Sequence, residues 1–282
     1  MKKIFIILLV IIVPAVAGIF GMKFDFGTTI ALQQLPTYLI INKFGENPDI
    51  DKTSGPEDIW EAGSNYIYDP TNTAPIVSLI SISNGDTEPI TVEGLSSNGT
   101  LTVQTITLTG TNRVALTTPL WRVFRMYNVG TNDLAGTVYC YVGTNGGTPA
   151  TTNTRATIDD GNNQTLMALY TVPAGYVGLL YYYKLGMSRS LTSGNAQIVP
   201  QIREYGSVFR VNGRNDLSFT GSSDSVTELP FPIVVAGMSD IKFSVESVSA
   251  NNTGVGCRFA VALIPESEYS DNYLSSINQP GY

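Results

Sequence analysis

Hydrophobic and polar residues alternate along much of the chain beyond residue 60, with the two-residue period that half-buried β-strands show. The clearest run is Thr100–Thr109, TLTVQTITLT. Leu101 and Val103 fall on one face of the predicted strand, and Ile106 and Leu108 fall on the other. The dipeptide Asn98-Gly99 stands just before this run, and glycine tolerates the positive φ that a tight hairpin turn requires. The pattern therefore predicts an antiparallel hairpin centred on this turn.

Apolar runs of this kind recur at short spacing, and Gly, Asn, Ser and Pro separate them. No amphipathic helix is evident after Gly21. Closely spaced strands without intervening helices are typical of a β-sandwich, a jelly roll or a barrel. We therefore predict an all-β fold with two β-sandwich or jelly-roll modules. The strands predicted beyond residue 70 are 76–82, 90–95, 100–109, 121–127, 136–142, 165–172, 176–185, 196–205, 208–212, 229–235, 241–248 and 255–263.

Changes in composition divide the chain into five parts. Residues 1–22 form a hydrophobic segment, and residues 23–59, which are rich in proline and irregular in pattern, are predicted to be an extended arm. The turn-rich stretch around residues 141–155 is the best internal boundary. It separates a first β module, 60–150, from a second, 155–265, and a tail follows at 266–282.

The amino-terminal segment predicts contact with a membrane. Two lysines precede Ile4–Met22, a stretch without a charge that is close to the length of about 20 residues that crosses a bilayer. A retained anchor would leave the lysines on the cytoplasmic side. A cleaved signal peptide is the other main interpretation, with Ala15 and Ala17 as the small residues before the cut. A buried hydrophobic element of an assembly is a third.

Composition excludes several functional classes. The 282 residues include 16 Lys+Arg, 23 Asp+Glu and no histidine, so the formal net charge is -7. Without histidine there is no Ser-His-Asp or Cys-His nucleophile and no imidazole zinc ligand. An acidic chain with 14% charged residues is also poorly suited to binding nucleic acid. Acidic pairs such as Asp159-Asp160 and Glu57-Asp58, and Glu204, have no spacing that indicates catalysis, so we predict a protein that is not an enzyme and has no catalytic or cofactor-binding residues.

Calcium is the one ion that the sequence suggests. Asn47, Asp49 and Asp51 supply oxygen ligands at alternating positions, with Asp58 further along. The EF-hand pattern is absent, so a solvated acidic arm is the favoured interpretation. Asp49 and Asp51 remain the candidate calcium ligands.

Cysteine, tyrosine and arginine give weaker indications. Two cysteines, Cys140 and Cys257, lie in apolar strand-like runs and are predicted to be buried free thiols rather than a disulfide. The run Tyr181–Tyr183 is a conceivable sugar platform, but a strand with tyrosine on both faces is favoured. Arg122 and Arg203 are interpreted as members of cross-strand or intersubunit ion pairs, and so is Arg125.

Several longer segments resemble a known family. The chain is similar, over about residues 43–264, to a family of bacteriophage virion structural proteins of the capsid or decoration type. The segments that carry the resemblance are KFGENPDID at 43–51, PEDIWEAG at 56–63, WRVFR at 121–125, NQTLMALYTVPAGY at 163–176, REYGSVF at 203–209 and SDIK at 239–242. Those relatives begin near the first of these segments and lack a hydrophobic leader. The resemblance implies virion membership, and the extra leader suggests a phage with a lipid membrane.

These observations favour a structural protein of a phage virion. Capsid shells use rigid β modules, extended arms and interfaces with few charges to desolvate. We expect the chain to build the capsid by self-association, as a trimer or a similar homo-oligomer, alongside other virion proteins. A penton, spike or head-decoration protein for host attachment is one alternative. A secreted bacterial adhesin that binds carbohydrate is another.

Overall fold

The computed structural model describes residues 37–70 and 72–269, together with Thr29, although the side chains of 189–192, 219–223, 228 and 230 are not part of that description. The chain divides into two compact units, 1–40 and 41–282, and nearly all of the described residues belong to the second. The predicted membrane segment Ile4–Met22 and most of the predicted tail lie outside them. Among the helical residues that are described, none belongs to a helix with the length and hydropathy of a membrane span.

The all-β prediction is confirmed. Within 37–70 and 72–269 the regular elements are strands and one short 3-10 helix, Glu266–Glu268. The strands are β1 Leu39–Ile50, β2 Glu57–Asp58, β3 Ile76–Ser81, β4 Pro89–Ser96, β5 Leu101–Thr107, β6 Val114–Asn128, β7 Val138–Val142, β8 Thr154–Ile158, β9 Leu169–Thr171, β10 Tyr176–Arg203, β11 Arg210–Val211, β12 Asn215–Val235, β13 Asp240–Val248 and β14 Thr253–Pro265.

The strands form two sheets. The small sheet has the order β5-β4-β6-β3-β7-β8, and its neighbours are antiparallel. The large sheet has the order β1-β14-β10-β13-β2, with β11 and β12 also paired to β10 and β9 paired to β13. There are two hydrophobic core clusters: one lies mainly in the large sheet but includes Leu95, Trp121 and Phe124 of the small sheet, and the other lies mainly in the small sheet but includes Leu169 of the large one. The two cores contain one cysteine each, Cys140 in the small sheet and Cys257 in the large, and both thiols are buried and free, as predicted.

The hairpin predicted at Asn98-Gly99 is confirmed. Strands β4 and β5 pair from Pro89 with Thr107 to Leu95 with Leu101. Gly99 has φ +79°, a backbone conformation that side chains rarely adopt. The turn forms where it was expected because its signal is entirely local.

Strand β10 differs most from the sequence prediction. Two strands were expected, 176–185 and 196–205, but the structure has one strand of 28 residues. Its first half runs between β12 and β14, and its second half pairs with β13 where β14 ends. The serine-rich stretch between the halves lacks an apolar alternation, so the sequence pattern shows a gap where the backbone continues.

The large sheet folds over so that its two halves share one core. Tyr183 pairs with Phe259 in the first half, and Phe243 pairs with Pro200 in the second. The ring of Phe243 nevertheless lies 5.3 Å from that of Tyr183 and 5.1 Å from that of Phe259. Register shifts at 180–182 and 188–193 accompany this folding, since bulges increase local twist and bend.

The segment predicted to be an extended arm, 23–59, is partly integrated into the large sheet. Strand β1 pairs with β14, and β2 pairs with β13. Ile50 and Ile59 are buried in the core. Gly45 permits this packing, because a Cβ there would lie 2.1 Å from the backbone nitrogen of Ala168. Prolines and charged residues concealed the strand pattern in the sequence.

The boundary between the two predicted modules also differs from the division into sheets. The second module was drawn from residue 155, but β8, Thr154–Ile158, pairs with β7 in the small sheet. All five of its residues are buried. The low-complexity stretch is therefore a loop within the small sheet, which extends over residues 76–158.

Candidate functional site: a buried charge network between the two sheets

A carboxylate between two arginines joins the small sheet to the large one. Asp240 opens β13, Arg122 lies in β6, and Arg203 ends β10. The Nε of Arg122 donates to Oδ1 of Asp240 at 2.9 Å, and the Nε of Arg203 donates to Oδ2 at 3.0 Å. The carboxylate is 2% exposed and the Arg122 side chain 3%. These are charge-assisted bonds, which are the stronger class of hydrogen bond.

Further donors complete the coordination of Asp240. Second nitrogens of both arginines reach its Oδ2, and the hydroxyl of Thr171 donates to Oδ1. Arg122 also donates to the carbonyl oxygens of Asp69 and Trp121. Because burying a charge is costly unless it is paired and hydrogen-bonded, this saturation is what allows the cluster to remain in the interior.

Aromatic rings surround the cationic side chains. The guanidinium of Arg122 lies 4.1 Å from the ring centre of Trp121 and 5.1 Å from that of Tyr68. The guanidinium of Arg203 lies 4.8 Å from Tyr68 and 4.7 Å from Phe209. Cations over ring faces are attracted by the ring quadrupole, more strongly when desolvated. The rings thus hold both arginines and exclude water from them.

A second ion pair involves Lys242, two residues after Asp240 on the same strand, β13. The ammonium of Lys242 donates to Oδ1 of Asp58 at 2.7 Å, and Asp58 is fully buried. Ser244 donates to the same oxygen, and the backbone N–H of Tyr66 donates to the other at 2.9 Å. The Lys242 ammonium also lies 4.7 Å from the ring centre of Phe209, so this pair adjoins the Asp240 cluster.

Five of the six segments quoted at the end of the sequence analysis meet at this network. PEDIWEAG supplies Asp58, WRVFR supplies Arg122, and the stretch from 163 to 176 supplies Thr171. REYGSVF supplies Arg203 and Phe209, and SDIK supplies Asp240 and Lys242. Segments separated by up to 184 positions therefore build one buried cluster.

Close backbone packing positions Arg122. A Cβ at Gly94 of β4 would lie 2.0 Å from the carbonyl oxygen of Arg122, so only glycine fits there. The pairing of β4 with β6 shifts register between Glu93 and Gly94. On the other side, Asp240 follows a turn in which Met238 has φ 63°. These local features place the side chains of Arg122 and Asp240 within hydrogen-bonding distance of each other.

Another two buried ionisable groups are Lys43, which belongs to β1, and Glu61. Lys43 donates to the carbonyl oxygen of Phe124, and Glu61 accepts from Thr157 and from the N–H of Leu166, both at 3.2 Å. Burial, with Arg125 nearby, lowers the pKa of Lys43 to about 7. Burial, with Asp159 nearby, raises the pKa of Glu61 to about 8.

The acids considered as catalytic candidates have separate structural environments. Glu57 accepts from the Asn47 amide at 2.7 Å and from the N–H of Ser64 at 3.1 Å. Glu204 lies 3.7 Å from Arg210 at the surface. Burial and the neighbouring Asp160 raise the pKa of Asp159. The cleft beside Arg122, lined also by Tyr68 and Tyr170, has room for about one water molecule.

The calcium candidates do not converge with Asp58. Asp51 accepts the N–H of Asn252 at 3.0 Å, and the N–H of Asp49 donates to Asn47. Asp58 is instead held by Lys242. In the part of the chain that the structure describes, no group of three or more Cys, Asp or Glu residues could hold a metal ion.

The tyrosine run, Arg122 and Arg203 match their favoured interpretations, whereas Arg125, also interpreted as an ion-pair member, donates to the amide oxygen of Gln164 at 3.3 Å. Tyr183 points into the large-sheet core, while Tyr181 and Tyr182 are half-buried. Arg122 and Arg203 form ion pairs between strands, as interpreted, and both pair with Asp240. Sequence reasoning did not identify Asp240 itself. A lone acid at the start of an apolar strand was the available signal.

The surface carries uncovered strand edges and apolar side chains. Within the described residues β12 pairs with β10 alone, which leaves the other edge of this 21-residue strand unpaired. Phe231 on β12 is 84% exposed and Val226 is 54% exposed. A separate exposed group, Tyr205, Val208 and Val211, lies around the loop between β10 and β11.

Comparison with known proteins gives only a distant structural likeness. No protein-family model matches the chain, and no curated protein matches it. A structure of the infectious bursal disease virus Gx strain shows 13% identity and a TM-score of 0.25, over 82% of this chain and 73% of that one. The VP2 subviral particle of the same virus shows 10% identity and a TM-score of 0.25, over 83% and 73%. Scores this low carry no argument about what this chain does.

Proposed function

We propose that this chain is a non-enzymatic structural protein of a bacteriophage virion that builds the capsid shell through self-association. The assignment to a phage rests on the segments within 43–264 that resemble virion proteins. The structural role rests on the physical properties of the fold. The two sheets are tied together by a saturated network of charges, which makes a rigid unit.

The edge of β12 that no other described strand pairs with is the observation that carries the proposal. A long exposed edge offers a row of unpaired N–H and C=O groups, which proteins normally cover, interrupt or shorten. Here prolines at 230 and 232 interrupt the row, yet Phe231 stands 84% exposed between them. A neighbouring subunit that packs on this edge would cover the apolar side chains, which is what assembly into a shell supplies.

Low charge is consistent with the same role. Only 14% of residues are charged, where an average soluble domain carries about 25%. Protein interfaces are depleted of charges at their cores because each charge must be desolvated. A protein that is covered by neighbours on several sides would have this composition.

The remaining parts of the proposal concern location and partners. We place the chain in the virion, in contact with copies of itself in a trimer and with other virion proteins, and we expect Ile4–Met22 to contact a lipid membrane. A penton, spike or decoration role would give small oligomers at defined positions. A secreted adhesin would give a processed monomer that binds carbohydrate.

Sedimentation and electron microscopy of the purified full chain test the proposal. We expect concentration-dependent assembly into trimers and larger shell-like particles, without hydrolase activity. The adhesin alternative predicts a monomer that begins at Gly18 in an intact-mass measurement. A chain that stays monomeric at every concentration, with or without its amino-terminal segment, would contradict the shell role.

A further inference from the structure

The hairpin between β10 and β11 presents an apolar tip on a rigid base. Ile202 pairs with Arg210, and Ser207 donates its N–H to the carbonyl oxygen of Glu204 at 2.9 Å, which closes the loop. Phe209 points inward, with its ring 5.0 Å from that of Tyr68 and 4.7 Å from the Arg203 guanidinium. The loop is therefore anchored to the buried charge network.

Three large apolar side chains are exposed around this hairpin. Val208 is 71% exposed, Tyr205 is 54% exposed and Val211 is 42% exposed. Tyr205 is itself positioned by an edge contact with Trp121 at 5.5 Å. Large apolar side chains held outward by a well-anchored loop are typical of contact sites, because ordering them on binding costs little conformational entropy.

The charges beside this apolar tip have opposite signs. Glu204 and Arg210 lie 3.7 Å apart, and their side chains are 55% and 62% exposed. A patch with one acid and one base beside an apolar centre complements itself when rotated by a two-fold axis. Arg210 of one copy then faces Glu204 of the other, and the reverse pair forms at the same time.

We propose that this hairpin is a two-fold contact with a second copy of the chain. It rests on the proposed function, since it assigns one of the contacts through which the protein would self-associate. The valines and Tyr205 pack against their counterparts, and the two charge pairs cross the axis. A hairpin this small buries less than the roughly 800 Å² per partner of a standard interface, so the contact is weak by itself and acts together with others in an assembly.

Charge reversal in two separate variants tests the contact. Glu204→Arg leaves the patch wholly positive and Arg210→Glu leaves it wholly negative, so each variant alone repels its own copies. We expect each to raise the protein concentration of half-association at least tenfold in sedimentation velocity. An equimolar mixture should return to within about threefold of the wild-type value, because opposite patches then meet.

Controls separate this contact from folding and from self-association in general. Asp160→Lys reverses an exposed acid in the turn after β8, outside both β12 and the hairpin between β10 and β11, and should leave association unchanged. Val208→Asp tests the same contact without touching Glu204 or Arg210, and should also weaken association. Circular dichroism checks that every variant folds. Wild-type-like association of both charge variants, or no recovery on mixing, overturns this contact and leaves the shell role intact. A wild-type chain that never associates overturns both.

Discussion

Replacement of the central carboxylate tests whether the charge network ties the two sheets together. Asp240→Asn keeps the size of the side chain and one acceptor oxygen but removes the charge. Arg122 and Arg203 would then be buried without their counter-ion, and an amide N–H₂ would face one of the guanidinium groups. Thr171 would also lose a charged acceptor.

The expected loss is large because both cations are desolvated. Removing one partner of a buried pair costs about 3–5 kcal/mol, and here one carboxylate serves two arginines. A domain is stable by about 5–15 kcal/mol in total. We therefore expect Asp240→Asn to lower the free energy of unfolding by about 4 kcal/mol or more.

Urea unfolding followed by tryptophan fluorescence measures this loss, since Trp121 stacks on Arg122. The combined variant Asp240→Leu with Arg122→Met and Arg203→Leu should recover most of it, because an apolar cluster has no charge to desolvate. Asp224→Asn, in the exposed pair with Lys184, should show no measurable change. A loss below about 1 kcal/mol for Asp240→Asn would refute the central place of the carboxylate, since surface pairs already reach that value.

Three further predictions follow from other parts of the structure. Glu61, with a pKa raised from 4.5 to about 8, holds a proton in the folded state that the unfolded chain releases, so stability falls as pH rises from about 5 to 8. Glu61→Gln should flatten the plot of urea midpoint against pH over this range, and an unchanged slope would contradict the role of Glu61. Lys43, with a pKa lowered from 10.5 to about 7, makes stability rise with pH only above pH 7. Phe243→Ala should cost about 3–5 kcal/mol in urea unfolding, because its ring fills the core between the halves of the folded large sheet; a loss under about 1 kcal/mol would show that the halves do not share a core. Calcium at millimolar concentration, compared with EDTA, should leave the melting temperature unchanged, whereas a clear rise that Asp51→Asn abolishes would restore the calcium site.

Features with a local signal were predictable from the sequence. The alternation at 100–109 and the turn at Asn98-Gly99 produced the β4–β5 hairpin as expected, because turn chemistry and period-2 burial act over a few residues. The burial of Cys140 and Cys257 followed in the same way from their apolar neighbours.

Features that depend on topology were not predictable. β1 was concealed because proline and charged residues interrupt its apolar pattern, and because part of its packing, at Gly45, is against a backbone more than a hundred positions away. β10 continues through a serine-rich stretch that has no apolar alternation, and its pairing is set on either side of that stretch, with β12 and β14 before it and with β12 and β13 after it. Arg122 and Asp240 are 118 positions apart, so neither residue's neighbours in sequence indicate the other.

Cryo-electron microscopy of native phage particles tests the proposed shell role most directly. We expect the two-sheet fold to account for density repeated in many symmetry-related copies across the shell, with the β12 edge covered by a neighbouring subunit. Particles whose shell is built from a different fold, and which lack this chain altogether, would contradict the role.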